Sequence, residues 1–203
     1  EGAVLVETRM VEFVWAPGMA ISQKQKSIAA LHQAAREQLG VQALLEISTK
    51  SPDPLGVSLS AFNLAYRPEG ARRAYPVEVL FQSAKVFAAG GPYRDIRNKS
   101  PADAKRDPRL KESGRLIRFE SGGVEWGLEP PTAFYDWLYI NVLRHQPDLA
   151  EQAHRFDGFT DIEFNPKKSI SCQAYSLALF VALTARQLLT DALRSRDDFL
   201  EVV

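Results

Sequence analysis

The largely apolar run PVEVLFQSAKVF, Pro76 to Phe87, carries Glu78, Gln82 and Lys85. Read as a helix, they fall at i, i+4 and i+7 and share one face. Val77, Val79, Leu80, Phe81, Ala84, Val86 and Phe87 cover the remaining circumference. Glu and Lys seldom enter such a setting unless something pairs with them or uses them. The stripe is therefore either a single wet face with an i, i+4 polar pair, or one wall of a cleft. In the second case Glu78 is available as an acid or base.

Other stretches carry chemistry of their own. STKSPDPLGVSLSAFN holds Lys50, Ser51, Ser58, Ser60 and Asn63, enough polarity to cradle a phosphorylated or sugar ligand or merely to form local turns. FTDIEFNPKKSISCQ sets Asp161 and Glu163 on one face of an extended piece. Lys167, Lys168 and Ser169 follow at a helix start, where free N–H groups and lysines could seat a diphosphate. Residues 94–118 hold nine basic residues against four acidic ones, a local excess that could guide a phosphate backbone or simply face solvent. Phe134, Tyr135, Trp137 and Tyr139 could stack a base but are expected mainly in the core, and Trp126 beside Gly127 could act as a stacking platform. Cys172 reads as a packing residue.

Some classes are disfavoured. The chain has 203 residues, 25 basic and 25 acidic, so bulk charge does not mark a nucleic-acid coat. His32, His145 and His154 lie apart without ligand spacing, and there is no CxxC, so no metal is expected. There is no phosphate-binding GxxxxGK[ST] loop and no GxGxxG after a strand. No cofactor is expected. The most apolar run, Ala174 to Ala185, is too short to span a bilayer, so no membrane partner is expected. A lone cysteine fits a reducing, cytoplasmic setting.

The elements that must position these residues read as follows. VLVETRMVEFVW alternates like a strand; Ser22 with Gln25 forms a capping box for a helix that Gly40 stops; ALLEIS is a second strand. That helix is expected to bury Ile28, Leu31, Ala35 and Leu39. Pro76 opens the helix carrying the stripe, which runs to Gly90-Gly91. Ser100, Pro101 and Asp103 start another that Gly114 closes. LIRFESGGVEWGL is a hairpin around Gly122-Gly123. Pro130-Pro131 precede an aromatic helix, PDLAEQAHRF is a short helix, and a long apolar helix begins near Ser169. The expected architecture is α+β, mainly α-helical, one compact domain over 1–203 with a small sheet component. Residues 1–45 form a strand-helix-strand extension packed on it.

The order of LSAFN, VEVLFQSAKVF, SPADAK and FNPKKSISCQA, with WAPGMAISQKQKSI and FTDIEFNPKKS, resembles the NADAR family (NAD- and ADP-ribose-associated) over nearly the whole chain. Within it, the chain is most similar to antitoxins encoded beside a DNA ADP-ribosyltransferase toxin that modifies guanine. The resemblance implies an N-glycosidase that removes ADP-ribose from guanine in DNA, with no cofactor. Val77-Glu78, Phe81-Gln82 and Lys85 match the family's helix pattern. Ser60-Ala61-Phe62-Asn63 corresponds loosely to its FSNF-like loop, and Lys50 matches the lysine that attacks the ribose. The last block departs from the family pattern at Ser171, where Asn is usual.

The expected roles follow. Glu78, Lys50 and Lys85 are catalytic: Glu78 protonates the departing base and one lysine attacks C1 of the sugar. Ser60, Asn63, Gln82, Trp126, Asp161, Glu163, Lys167, Lys168 and Ser169 bind substrate. The expected partners are ADP-ribosylated DNA, ADP-ribose and the toxin. The rival readings are an N-glycosidase of small phosphorylated ribosyl metabolites, such as riboflavin precursors, and a non-catalytic reader of ADP-ribose or DNA.

Overall fold

The computed structural model describes residues 4–165 and 171–203. Two helices are apolar on every side and therefore central. They are α6 (Ala133–Leu143) and α8 (Gln173–Ala185), which bury Phe134, Tyr139, Ile140, Leu143, Leu177, Phe180 and Leu183 between them and their neighbours. One buried polar contact crosses this apolar pair, Ser176 Oγ donating to Asp136 Oδ1 at 2.5 Å.

The other elements wrap this centre in chain order. α1 (Ile21–Leu39) leads to β1 (Leu44–Glu46), α2 (Pro54–Ser58), β2 (Ala65–Tyr66), β3 (Tyr75–Pro76), α3 (Val77–Ser83) and β4 (Lys85–Phe87). A 3₁₀ turn at Arg94–Asn98 precedes α4 (Pro101–Lys105), α5 (Arg109–Glu112), β5 (Leu116–Ser121) and β6 (Val124–Trp126). α7 (Pro147–Ala153) and β7 (Gly158–Thr160) lie between the two central helices, and α9 (Leu189–Ala192) and α10 (Arg196–Val202) close the chain. Helix outweighs strand, 45% against 12%, so the fold is α+β and mainly helical, as expected. The sheets are small: β1 pairs parallel with β7, β2 antiparallel with β3, and β4-β5-β6 form an antiparallel meander. Its hairpin turns at Gly122 and Gly123, with φ of 58° and 80°, which suits a turn with two left-handed residues.

Several expectations need correction. Residues 4–20 form no strand. The alternation of Val11, Phe13 and Trp15 is real, but no neighbouring strand offers a ladder. The segment is held instead by Ala16 N–H on Ser27 Oγ (3.0 Å) and by Gln38 Nε2 on the Glu12 carbonyl (2.9 Å). The Ser22–Gln25 capping box does not form, because α1 starts at Ile21, after Ala20, with no side-chain cap. α1 buries Ser27, Ile28, His32 and Ala35, while Leu39 is exposed beside the Gly40 stop.

The stripe helix ends at Ser83. Residues 85–87 pair with β5 instead, and Glu120 N–H bonds the Ala84 carbonyl at 2.8 Å. Stacking of Phe81, Phe119 and Phe134, with ring centroids 4.7–6.1 Å apart, rewards the strand over another helical turn. Ser100 caps α4 as expected, but Asp107-Pro108 breaks the helix that was expected to reach Gly114. The long apolar helix ends at Ala185 and gives way to α9 and α10.

α2 sits tight on β1. A Cβ at Gly56 would lie 1.9 Å from the Glu46 carbonyl oxygen and 2.4 Å from Ser51 Oγ. Backbone cannot yield as a flexible side chain can, so Gly56→Ala is expected to destabilise the protein by about 2 kcal/mol or more. Thermal unfolding of the purified variant checks this; an unchanged Tm would contradict the packing.

Candidate active site

A cleft of about 740 Å³ opens between α3, the loop 48–62, the turn after β7, the start of α8 and the α4–α5 segment. Its frame is built from backbone. Ala61 offers its carbonyl to Glu78 N–H (2.9 Å), and its own N–H donates to Gln173 Oε1 (2.7 Å). Val77 N–H donates to the Leu64 carbonyl (2.9 Å), and Tyr139 Oη donates to the Leu59 carbonyl (2.7 Å). The first N–H groups of α3, which no side chain caps, are thereby satisfied by the loop.

Glu78 is 6% exposed and lines the cleft. Its Oε1 accepts from Gln82 Nε2 at 2.8 Å. Gln82 Oε1 is buried and has no hydrogen-bond partner among the described residues. A buried acceptor left unmade costs roughly 1–3 kcal/mol, so this oxygen is free to accept from a donor that enters the cleft.

Lys85 reaches the same cleft from β4, with Nζ 4.7 Å from the centre of the Phe81 ring. Burial pushes its amine down to about 8; the Glu78 charge pulls it partly back up and the Lys105 charge depresses it further. Lys50 lies just beyond β1 and also lines the cleft. Its backbone N–H rests on Ser48 Oγ at 3.2 Å.

Asp161 and Glu163 come from the turn after β7, not from an extended strand. Glu46, fully buried on β1, organises this turn: its carboxylate accepts from Thr160 Oγ1 at 2.5 Å and from Ile162 N–H at 2.8 Å. His32 Nε2 lies 2.9 Å from Thr160 Oγ1; because that hydroxyl gives its proton to Glu46, the ring donates. Burial, then the Arg36 charge, pushes His32 down to about 4, so the ring is neutral. Burial foremost, then the Glu46 charge, pushes Asp161 up to about 7; hydrogen bonds from the Glu163 backbone and the Gln173 side chain oppose the rise. Glu163 forms an ion pair with Lys24 at 3.5 Å and borders a second recess shared with Trp15 and Phe164.

The structure thus brings Glu78, Gln82, Lys50, Lys85, Ser60, Asp161 and Glu163 to one cleft. Ser60 also donates to the Val57 carbonyl at 2.7 Å. Two expected binders are elsewhere. Trp126, 2% exposed, packs against Phe134, Trp137 and Phe199 in the core, because β6 turns that face inward. Asn63 is exposed and pins its own loop, donating to the Val57 carbonyl (2.9 Å) and to Ser60 Oγ (3.1 Å). Lys167, Lys168 and Ser169 lie outside the described residues.

Sequence reasoning missed Gln173, which lines the cleft, and the supporting Glu46; Tyr135, expected mainly in the core, also lines the cleft. An isolated Glu among the apolar residues of ALLEIS was the available signal for Glu46. Cys172 precedes α8, and burial pushes its thiol up to about 12, which suits a packing role. Among the described residues no group of three His, Cys, Asp or Glu side chains could hold a metal, and no helix is long and apolar enough to cross a membrane.

The site combines three carboxyl groups, a desolvated amine and an orphaned acceptor on a helical frame. The sequence profile of the DarT1-associated NADAR antitoxins matches residues 1–203, and the chain belongs to that family. The family name pairs it with a DarT1 toxin, and NADAR proteins are associated with N-glycosidase activity. A comparison with curated proteins returns no match.

A carboxyl that binds its proton more tightly folded than unfolded costs stability as pH rises between the two values. For Asp161 that window runs from about 3.8 to about 7. Asp161→Asn is therefore expected to gain stability over the parent as pH rises from 4 to 8, with no gain below pH 4. Denaturant melts across pH check this; a constant difference would contradict the buried carboxyl.

Proposed function

We propose that the chain is an N-glycosidase that removes ADP-ribose from ADP-ribosylated guanine in DNA and so reverses the mark set by its paired toxin. The observation that carries this reading is the meeting of the desolvated Lys85 amine with two carboxyl groups, Glu78 and Asp161, in one cleft. The reaction needs a nucleophile at C1 of the ribose, a proton for the departing base and charge stabilisation between them.

Neutral Lys85 attacks C1 as the C–N bond to guanine breaks, and Asp161 gives its proton to the leaving nitrogen. Glu78 faces the positive charge that grows on the sugar. The ring then opens as the amine loses its proton and the ring oxygen gains one, leaving an imine. Water hydrolyses the imine, frees ADP-ribose and returns the amine. Gln82 Oε1 is positioned to accept a hydroxyl or amide proton of the substrate. The matching family position is Lys50, but Lys85 has the amine whose neutral form burial makes accessible, by lowering it to about 8.

Asp161 works protonated, below about 7, and Lys85 works neutral, above about 8. The profile of kcat against pH should be a bell peaking between these values, with about 6% of molecules in the working state at the peak. Glu46→Gln removes the charge that helps hold the Asp161 proton, so the acidic break should move to lower pH and the peak should fall, while the alkaline break stays with Lys85. An unmoved acidic break would assign the acid elsewhere.

Incubation with ADP-ribosylated DNA should release free ADP-ribose and restore guanine. Lys85→Ala and Asp161→Asn should slow this by about 10²–10⁴-fold. Borohydride during turnover should leave an adduct on Lys85. An adduct on Lys50 would transfer the nucleophile's role to that residue. No release of ADP-ribose, with antitoxin action surviving both substitutions, would favour a protein that neutralises by binding alone.

A further inference from the structure

We propose that Lys105, Arg106 and Lys111 form the phosphate-binding wall of the cleft, seating the phosphate-bearing part of a nucleotide ligand beside the sugar site. This deepens the glycosidase reading and rests on it for the nature of the ligand. All three side chains are exposed and line the cleft, and none forms an ion pair among the described residues. Lys99 and Arg109, in the same segment, are neutralised. Lys99 Nζ lies 2.6 Å and Arg109 2.8 Å from Asp107 Oδ2, and Arg109 also reaches Asp95 at 2.7 Å.

That clamp gives the wall its place. Asp107 is buried, accepts Arg109 N–H at 3.0 Å, and breaks the chain between α4 and α5 so that residues on both sides of the break turn to the cleft. α4 is also packed onto the helix that carries Glu78 and Gln82, through the small cluster of Val79, Ile96 and Ala104. The wall and the sugar site therefore share one rigid mount. They are also close: the Lys105 charge is felt at the Lys85 amine, and Lys105 Nζ stands 5.7 Å from the centre of the Phe62 ring at the cleft edge.

Uncompensated cations in a cleft attract an anion, and a phosphate is the anion that an ADP-ribosylated strand supplies twice, in the diphosphate and in the backbone. The variant replacing all three by Gln changes only exposed side chains, and circular dichroism will verify its fold. It should bind ADP-ribose, an unmodified single-stranded DNA oligonucleotide, or both at least tenfold more weakly than the parent in calorimetric titrations. A loss confined to ADP-ribose places the diphosphate on the wall. A loss confined to the oligonucleotide places the strand backbone there and lowers the slope of log K against log salt by roughly 2. Unchanged affinity for both probes, or no binding of either by the parent, overturns the wall. A parent that binds phosphate through these residues but releases no ADP-ribose keeps the wall and removes the glycosidase. Turnover with KM unaltered in the variant does the reverse.

Discussion

The peptide flanking Ala61 holds the site together. Its carbonyl anchors the start of α3 through Glu78 N–H, and its N–H anchors the start of α8 through Gln173. Gln173 also reaches Asp161. One short stretch of loop thus ties the helix that carries Glu78 and Gln82 to the turn that carries Asp161. These bonds are partly buried, where a lost partner leaves a desolvated donor or acceptor behind. The loop's low content of regular structure is therefore no sign of weakness, because both of its polar faces are already used.

Around that seam the protein keeps titratable groups away from water. Glu46, Glu78 and Asp136 are all buried, and burial raises Glu46 and Asp136 above the ordinary carboxylate range, Asp136 to about 6. Such groups reduce stability unless hydrogen bonds compensate, and each has them: Thr160 and Ile162 for Glu46, Gln82 for Glu78, Ser176 for Asp136. The apolar mass of α6 and α8 offsets the remainder. Most of that mass never touches the cleft, yet it fixes the two helix starts from which Tyr135 and Gln173 reach it.

Much of this was legible in the chain. Local chemistry marked the Ser100–Pro101–Asp103 helix start, the Gly122-Gly123 hairpin and the helix after Pro130-Pro131, because caps and turns depend on neighbours in sequence. Pairings across long separations were not legible. The Glu46–Thr160 bond joins residues 114 apart, as does the parallel pairing of β1 with β7 that it accompanies. Lys85 shows the limit most clearly. A helical period placed it beside Glu78; the chain instead leaves the helix at Ser83, and a strand delivers the side chain to the same cleft. Trp126 failed in the opposite sense, since its exposure depended on which face of a short hairpin packs inward.

The polar stripe on α3 is explained by what lies on its other faces. Val77 enters the main core, while Val79 enters the separate cluster with Ile96 and Ala104, and both are wholly buried. Rotating the helix to give Glu78 and Gln82 to bulk water would expose both valines, at roughly 1.5–3 kcal/mol each. The two apolar anchors point to different clusters, so the helix has one rotational setting that satisfies them together. In that setting Glu78 and Gln82 must face each other in a half-dry cleft, and Gln82 is left with an acceptor that no described residue reaches. The unmet hydrogen bond is thus enforced by packing on the opposite side of the helix, which is how a small apolar cluster outside the cleft can hold the cleft's polar face in place.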